Sequence, residues 1–275
     1  MRIKNKNLNI KQIADSGQCF RMNPIGNNKH SLIAFDSYIE LEQIEEDIVE
    51  ISCSEKEYER IWKDYFDLDY NYGWIVDTLT KGSDKFMKEA AQYGNGIRIL
   101  KQNPFEMLIS FIISQNKNIP SIKACIERIS EKYGTCQKNA ITGEPYYTFP
   151  APEMLAAAGK EELRALKLGY RDEYIIGAAR AVVSGDIDLE YLMACSHEEA
   201  VNALKRIRGI GDKVANCISL FGLHHIEAFP IDVWMKRVLD EIYQNKFDPG
   251  QYEGYAGIVQ QYMFYYIRHI HGASS

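Results

Sequence analysis

Two textures of hydrophobic spacing divide the chain. Over roughly residues 1–75 apolar and polar positions alternate in short runs, as in Tyr38-Ile39-Glu40-Leu41-Glu42, and β-branched and aromatic residues are frequent. A two-residue period places successive side chains on opposite faces of a strand. The segment "NPIGNNKH" supplies turn residues between strands. From about residue 76 the period lengthens to that of a helix. "DKFMKEAAQYG" ends near Gly94 or Gly96, and "NPFEMLISFIISQNKNIPSIKACIERISEKYG" places Pro104 near a helix start and Gly134 at an end. "SHEEAVNALKRI" begins with Ser196 and carries Glu199 three residues on, the pattern of a capping box. The pattern predicts an α+β chain, with a β domain over 1–75 and an all-helical domain over 76–275.

One helical hairpin stands out. Ser196 to Ile207 reads as a helix, Arg208-Gly209-Ile210-Gly211 as a tight turn, and a second helix runs from Asp212 or Lys213 through Phe221. The hairpin as a whole spans 196–223. "LRALKLGYRDEYIIGAARAVV" (163–183) is a weak echo of it. The first-turn N–H groups of a helix have no internal partner and carry a positive dipole, which suits an anion such as phosphate. Gly209 and Gly211 allow positive φ and close approach of another backbone. The competing account is an ordinary hairpin closed by a glycine cap.

Composition narrows the field. The 275 residues are 46% hydrophobic, enough for a core of ordinary size. No run of about 18 apolar residues is present, and the basic start lacks a following hydrophobic stretch. A cytoplasmic protein is expected, nucleoid-associated if the source is bacterial. The six cysteines contain no C-x-x-C, which argues against a zinc ribbon, an iron–sulfur cluster and a disulfide scaffold. No redox cofactor or catalytic metal is indicated. The net charge of −6 counts against a nucleic-acid partner unless the charge is local. It is local: residues 40–50 hold six acids and no base, whereas 204–213 hold Lys205, Arg206, Arg208 and Lys213 against Asp212 alone.

Downstream, "FGLHHIEAFPIDVWMKRVL" breaks at Pro230 and sets Asp232 at the N-cap of a helix beginning at Val233. A Gly-x-Gly hairpin, a proline loop and an aspartate nineteen residues after Lys213 together resemble the DNA glycosylase superfamily named for that hairpin, loop and aspartate. The hairpin lysine is the mark of its bifunctional members. The likeness covers nearly the whole chain and is strongest to 8-oxoguanine DNA glycosylases. "SGQCF" (16–20), "YFDLDYNY", "GIRILKQNPFEMLISFIISQNKNI", "LGYRDEYI" (168–175) and "GIVQQYMF" (257–264) are each similar to a segment of that family.

The resemblance implies a TBP-like antiparallel β domain before a helix-hairpin-helix body, acting as a monomer on double-stranded DNA containing oxidised guanine, away from membranes. It implies extrusion of the damaged base into a pocket. Lys213 is the implied nucleophile; positive neighbours and a helix N-terminus favour its neutral amine. Asp232 is implied to offset charge on the developing sugar cation. Cys217 and Phe264 would sandwich the purine, Gln260 would meet its Watson–Crick edge, and the Gly17 carbonyl would face N7. Tyr170 is the implied wedge, with Asn116 and Arg171 for the widowed base, and Gly209 and Gly211 for a backbone phosphate. An alkali cation on the carbonyls of Lys205, Ile207 and Ile210 is a further implication. Two positions depart from the family: Ser121 stands where an arginine touches the opposite cytosine, and Trp234 where a phosphate-contacting histidine is common. The alternatives are a glycosylase for alkylated purines or oxidised pyrimidines, or a non-enzymatic hairpin module using Lys213 as a phosphate contact. The missing cysteine cluster and the presence of Lys213 weigh against the first of these.

Overall fold

The computed structural model describes residues 1–272, so the last three residues of the predicted helical domain lie outside the described residues. Strands β1 (Arg2–Lys4), β2 (Met22–Gly26), β3 (Lys29–Ala34), β4 (Ser37–Glu45) and β5 (Ile48–Ile51) form one sheet in the order β1-β5-β4-β3-β2. β5 runs antiparallel to both neighbours, with Ile3 opposite Val49 and Leu41 opposite Ile51. The alternation read from the sequence is visible in Ile39, Leu41, Val49 and Ile51, all buried. Glu40 interrupts it. Its carboxylate is buried and meets the Lys29 ammonium at 2.5 Å. The acidic run is further offset from β1, where Arg2 faces Glu50 and Lys4 faces Asp47, each at 3.6 Å.

A short helix, α1 (Ile10–Asp15), lies inside the stretch whose texture predicted strands. Asn9 caps it, and Ile10, Ile13 and Ala14 are its buried face, a helical spacing hidden among alternating neighbours. The helices that matter below are α2 (Tyr72–Lys81), α3 (Lys85–Tyr93), α4 (Pro104–Ser114), α5 (Ile119–Tyr133), α6 (Arg171–Val183), α7 (His197–Leu204), α8 (Asp212–Phe221), α9 (Val233–Arg237) and α10 (Ala256–Ile270). The helical region also contains a small hairpin, β6 (Cys136–Lys138) with β7 (Pro145–Tyr147). Among the described residues no helix is long and apolar enough to cross a membrane.

Contacts gather the chain into two units. The first holds residues 1–31, 39–101 and 224–275, so α10 belongs with the sheet's unit, where it packs on α3. Tyr93 stacks there on Tyr265 and His269, at 5.1 and 4.3 Å between ring centroids. The second holds 32–38 and 102–223 and is centred on α4, buried along most of its length. Phe111 of α4 stacks on Phe221 of α8 at 5.5 Å. Gly134 ends α5 as the sequence predicts, but for a reason of space. Its φ is −81°, and a Cβ there would stand 1.9 Å from the Thr148 carbonyl oxygen.

Within the first unit, two crossing points of the chain are tied to one carboxylate. Asp67 accepts from the Tyr72 hydroxyl at 3.1 Å, and its oxygens lie 3.4 Å from Lys101 Nζ and 3.5 Å from His224 Nε2. Burial alone raises the Asp67 pKa, but His224, Lys101 and Tyr72 together hold it below the ordinary aspartate value. A depressed carboxyl stabilises the fold above the unfolded-state value of about 4, and that contribution vanishes as pH falls through the folded value. Asp67→Asn is therefore expected to cost about 3 kcal/mol near neutral pH. Chemical denaturation at neutral and acidic pH checks it: the gap between wild type and variant should close on acidification.

Candidate functional site

The hairpin is built from local rules with two adjustments. Ser196 caps α7 by accepting from the Glu199 N–H at 3.3 Å, but the Glu199 carboxylate takes the Tyr191 hydroxyl at 2.6 Å. Only the serine half of the predicted capping box is formed. The helix also stops at Leu204 rather than Ile207. Arg206, Ile207 and Ile210 donate to Ala203, Leu204 and Ile207 in successive three-residue turns. This tightening turns Ile207 and Ile210 into the core, where both are buried.

The two turn glycines have different reasons to be glycine. Gly209 has φ +93°, and a Cβ would stand 2.5 Å from the Tyr174 ring. The turn is thus seated on α6, where Arg208 also lies over Tyr174 at 5.9 Å and reaches Glu173 at 3.7 Å. Gly211 is exposed, has no positive φ, and a Cβ there would meet nothing within 4 Å. It is the N-cap of α8 and has no side chain with which to satisfy the first-turn N–H groups. Among the described residues those N–H groups have no hydrogen-bond partner, at the positive end of the helix dipole.

Lys213 is the second residue of α8 and is exposed. Its neighbour Asp212 is engaged by Lys205, and Lys213 itself makes no ion pair among the described residues. Of the three carbonyls assigned to an alkali cation, that of Ile207 accepts from the Ile210 N–H at 3.1 Å. Cys217, one turn beyond Lys213, is buried.

Tyr170, Asn116 and Arg171, which the resemblance groups at the wedge, lie together. Tyr170 is 49% exposed, and its hydroxyl accepts from Asn116 Nδ2 at 3.3 Å. Asn116 itself has φ +53° in the exposed link between α4 and α5. Arg171 was expected at the widowed base. Here it is 5% exposed, and its guanidinium donates to the carbonyls of Leu168 and Gln115 while lying 4.5 Å from the Tyr170 ring centre. Those carbonyls turn the charge inward and set the guanidinium beneath Tyr170. Ser121 is exposed in the first turn of α5.

In the first unit, Asp232 caps α9. Its Oδ1 accepts from the N–H groups of Trp234 and Met235 at 3.0 and 2.9 Å. Trp234 faces His271 at 5.9 Å. Gly17 follows α1 with φ +78°, a conformation that favours glycine. Its loop is pinned by buried Gln18, which donates to Ser16 Oγ and the Arg98 carbonyl and accepts from the Leu100 N–H, each at 2.9 Å. Gln260 is buried and donates to the Pro230 carbonyl at 3.1 Å.

Residues 1–108 match the family described as 8-oxoguanine DNA glycosylase, N-terminal domain. Residues 109–254 match the HhH-GPD superfamily base excision DNA repair proteins. The chain belongs to the HhH-GPD superfamily. A probable N-glycosylase/DNA lyase of Methanothermobacter thermautotrophicus is 30% identical over 74% of this chain and 72% of its own length. The N-glycosylase/DNA lyase of Saccharomyces cerevisiae is 37% identical over 66% of this chain, which spans 50% of that protein. Among solved structures, the Clostridium acetobutylicum 8-oxoguanine glycosylase/lyase bound to DNA with cytosine opposite 8-oxoguanine superposes with a TM-score of 0.90. It is 36% identical and covers 96% of this chain and 93% of its own. MBOgg1 in complex with a low-affinity DNA ligand gives a TM-score of 0.91 at 36% identity, covering 98% and 96%.

For an HhH-GPD chain, sequence reading missed Tyr174, Gln261 and Arg268. Arg268 is buried, lies over the Phe264 ring at 5.2 Å and donates to the Asp15 carbonyl at 3.0 Å, two residues from Gly17. Burial lowers its pKa, while Asp15, Asp232 and Tyr265 oppose the shift. The signal was available: Gln260, Phe264 and Arg268 stand at four-residue intervals on one helix face. Tyr174 gave no comparable signal, because its partner Gly209 is distant in sequence.

The glycine geometry separates anchoring from folding. Gly211→Val should fold normally and weaken binding to lesion-bearing and plain duplex alike by about tenfold, the loss of one backbone anchor. Titrating both duplexes at two salt concentrations checks this; a loss confined to lesion DNA contradicts the anchor. Gly209→Ala, by contrast, should lower thermal stability first.

Proposed function

We propose that the chain excises 8-oxoguanine from duplex DNA and cleaves the resulting abasic strand, as a glycosylase with lyase activity in base excision repair. The observation that carries this reading is the hairpin. An exposed lysine without an ion-pair partner among the described residues stands at the start of a helix whose N-cap is a glycine with no side chain to meet the first-turn donors. That combination serves an anionic substrate carrying an electrophilic carbon.

In the proposed reaction the Lys213 amine attacks the sugar C1′. A C–N bond forms as the C1′–N9 bond breaks, and the departing purine keeps the electron pair and is protonated. The Asp232 carboxylate offsets the cationic character of the sugar; its second oxygen makes no hydrogen bond among the described residues. Ring opening gives an imine between Lys213 and the sugar. Loss of a C2′ proton then expels the 3′ phosphate, and water releases the lysine. Tyr170 fills the vacated stack, Asn116 meets the widowed base, and Arg171 holds the wedge. Phe264, Gln260 and the Gly17 carbonyl receive the purine. That carbonyl accepts no hydrogen bond among the described residues and is held in place by Gln18, so it suits the N7–H that 8-oxoguanine has and guanine lacks.

Borohydride reduces an imine to a permanent amine. It should cross-link the protein to 8-oxoguanine duplex, and Lys213→Gln should abolish cross-linking while DNA binding persists. Undiminished trapping in that variant leaves a phosphate-contacting lysine as the better account. Gly17→Val should lower 8-oxoguanine excision more than tenfold, beyond its lyase rate on a preformed abasic site. Equal loss of both activities points to the strain of its positive φ instead.

A further inference from the structure

Gln260 and the residue beside it form a directed chain of hydrogen bonds. Gln260 Nε2 donates to the Pro230 carbonyl at 3.1 Å, and Gln261 Nε2 donates to Gln260 Oε1, also at 3.1 Å. Both side chains are buried, at 3% and 2% exposure. A backbone carbonyl only accepts, so Pro230 selects the nitrogen end of the Gln260 amide. The oxygen end then lies toward Gln261. The second amide is otherwise poorly used: Gln261 Oε1 is buried and has no hydrogen-bond partner among the described residues. A buried orphan acceptor is unfavourable, and an apolar side chain at this position would avoid it. Among the described residues the one hydrogen bond of its side chain is the contact to Gln260.

We propose that Gln261 is a positioning residue that, with Pro230, holds the Gln260 amide in one polarity and thereby makes it a reader of guanine-type edges. This rests on the glycosylase reading above. An unconstrained glutamine meets either purine, because a half-turn of the amide exchanges its donor and acceptor. A guanine-type edge presents an acceptor at O6 beside a donor at N1. An adenine-type edge presents the reverse, a donor at N6 beside an acceptor at N1. The chain of bonds leaves Gln260 one N–H and one lone pair, each on a defined end. The half-turn would set Gln260 Oε1 against the Pro230 oxygen, two acceptors facing one another.

The test uses two lesions with the same five-membered ring. 8-Oxoguanine and 8-oxoadenine both carry the C8 oxygen and the N7 hydrogen, and they differ in the polarity of the Watson–Crick edge. Single-turnover excision of each is measured for wild type, Gln261→Leu and Gln261→Met, with borohydride trapping on a preformed abasic duplex as the measure of an intact, base-independent site. The expected result is a fall of about tenfold in the 8-oxoguanine to 8-oxoadenine ratio in both variants, the discrimination carried by one hydrogen bond, with trapping retained. Adding Gln261→Leu to Gln260→Leu should change the ratio no further, since the second residue acts through the first. An unchanged ratio in the trapping-competent single variants overturns the proposal, as does a further fall in the double variant. Failure of the wild type to excise 8-oxoguanine is a different result and overturns the glycosylase reading itself.

Discussion

The first unit is organised around one buried cation. The Arg98 guanidinium donates to the carbonyls of Phe66, Asn7, Asp67 and Tyr70 and lies 4.0 Å above the Tyr72 ring. Four backbone acceptors and an aromatic face replace the water that the charge loses on burial. Each bond fixes a segment that forms no regular structure of its own. The loop before α1, the turn leading to α2 and the extended 98–101 segment are held by this side chain. Gln18 bonds to the same extended segment, so the Gly17 loop inherits its position. The candidate N7 acceptor is therefore placed by a network whose centre is an arginine.

The second unit uses packing where the first uses charge. Tyr174 stands between the hairpin turn and Tyr170. Its ring fills the space a side chain at Gly209 would occupy, and it meets Tyr170 edge-on at 5.9 Å. The hairpin turn and Tyr170 thus share one aromatic support on α6. Both depend on residues with left-handed backbone angles, Gly209 at +93° and Asn116 at +53°, which glycine and asparagine adopt more readily than other residues.

Net charge is a poor guide to this chain because its charges are sorted. Acids of the sheet are matched by Arg2, Lys4 and Lys29 across strands, and Asp67 is surrounded by Lys101, His224 and Tyr72. At the hairpin, Lys205 engages Asp212 and leaves Lys213 without a carboxylate partner. A chain with a formal charge of −6 can therefore present a basic turn to an anion.

The features legible in the sequence are those whose causes lie within a few residues. The helix start at Pro104, caps at Ser196 and Asp232, the glycine end at Gly94, the two-residue β2–β3 turn and the hairpin with its lysine each follow from hydrogen bonds or backbone angles spanning one turn of chain. The alternation that set Ile39 and Leu41 inside is equally local. What tertiary structure decided is the partner of each long side chain. Arg171 turns inward because carbonyls of Gln115 and Leu168 meet it, Gln260 is buried because Pro230 and Gln261 hold its amide, and Gly134 is required because Thr148 approaches it. Even the early end of α7 belongs here, since it serves the burial of Ile207 and Ile210. A polar side chain several bonds long reaches acceptors on segments distant in sequence, and which acceptor it finds depends on how those segments pack.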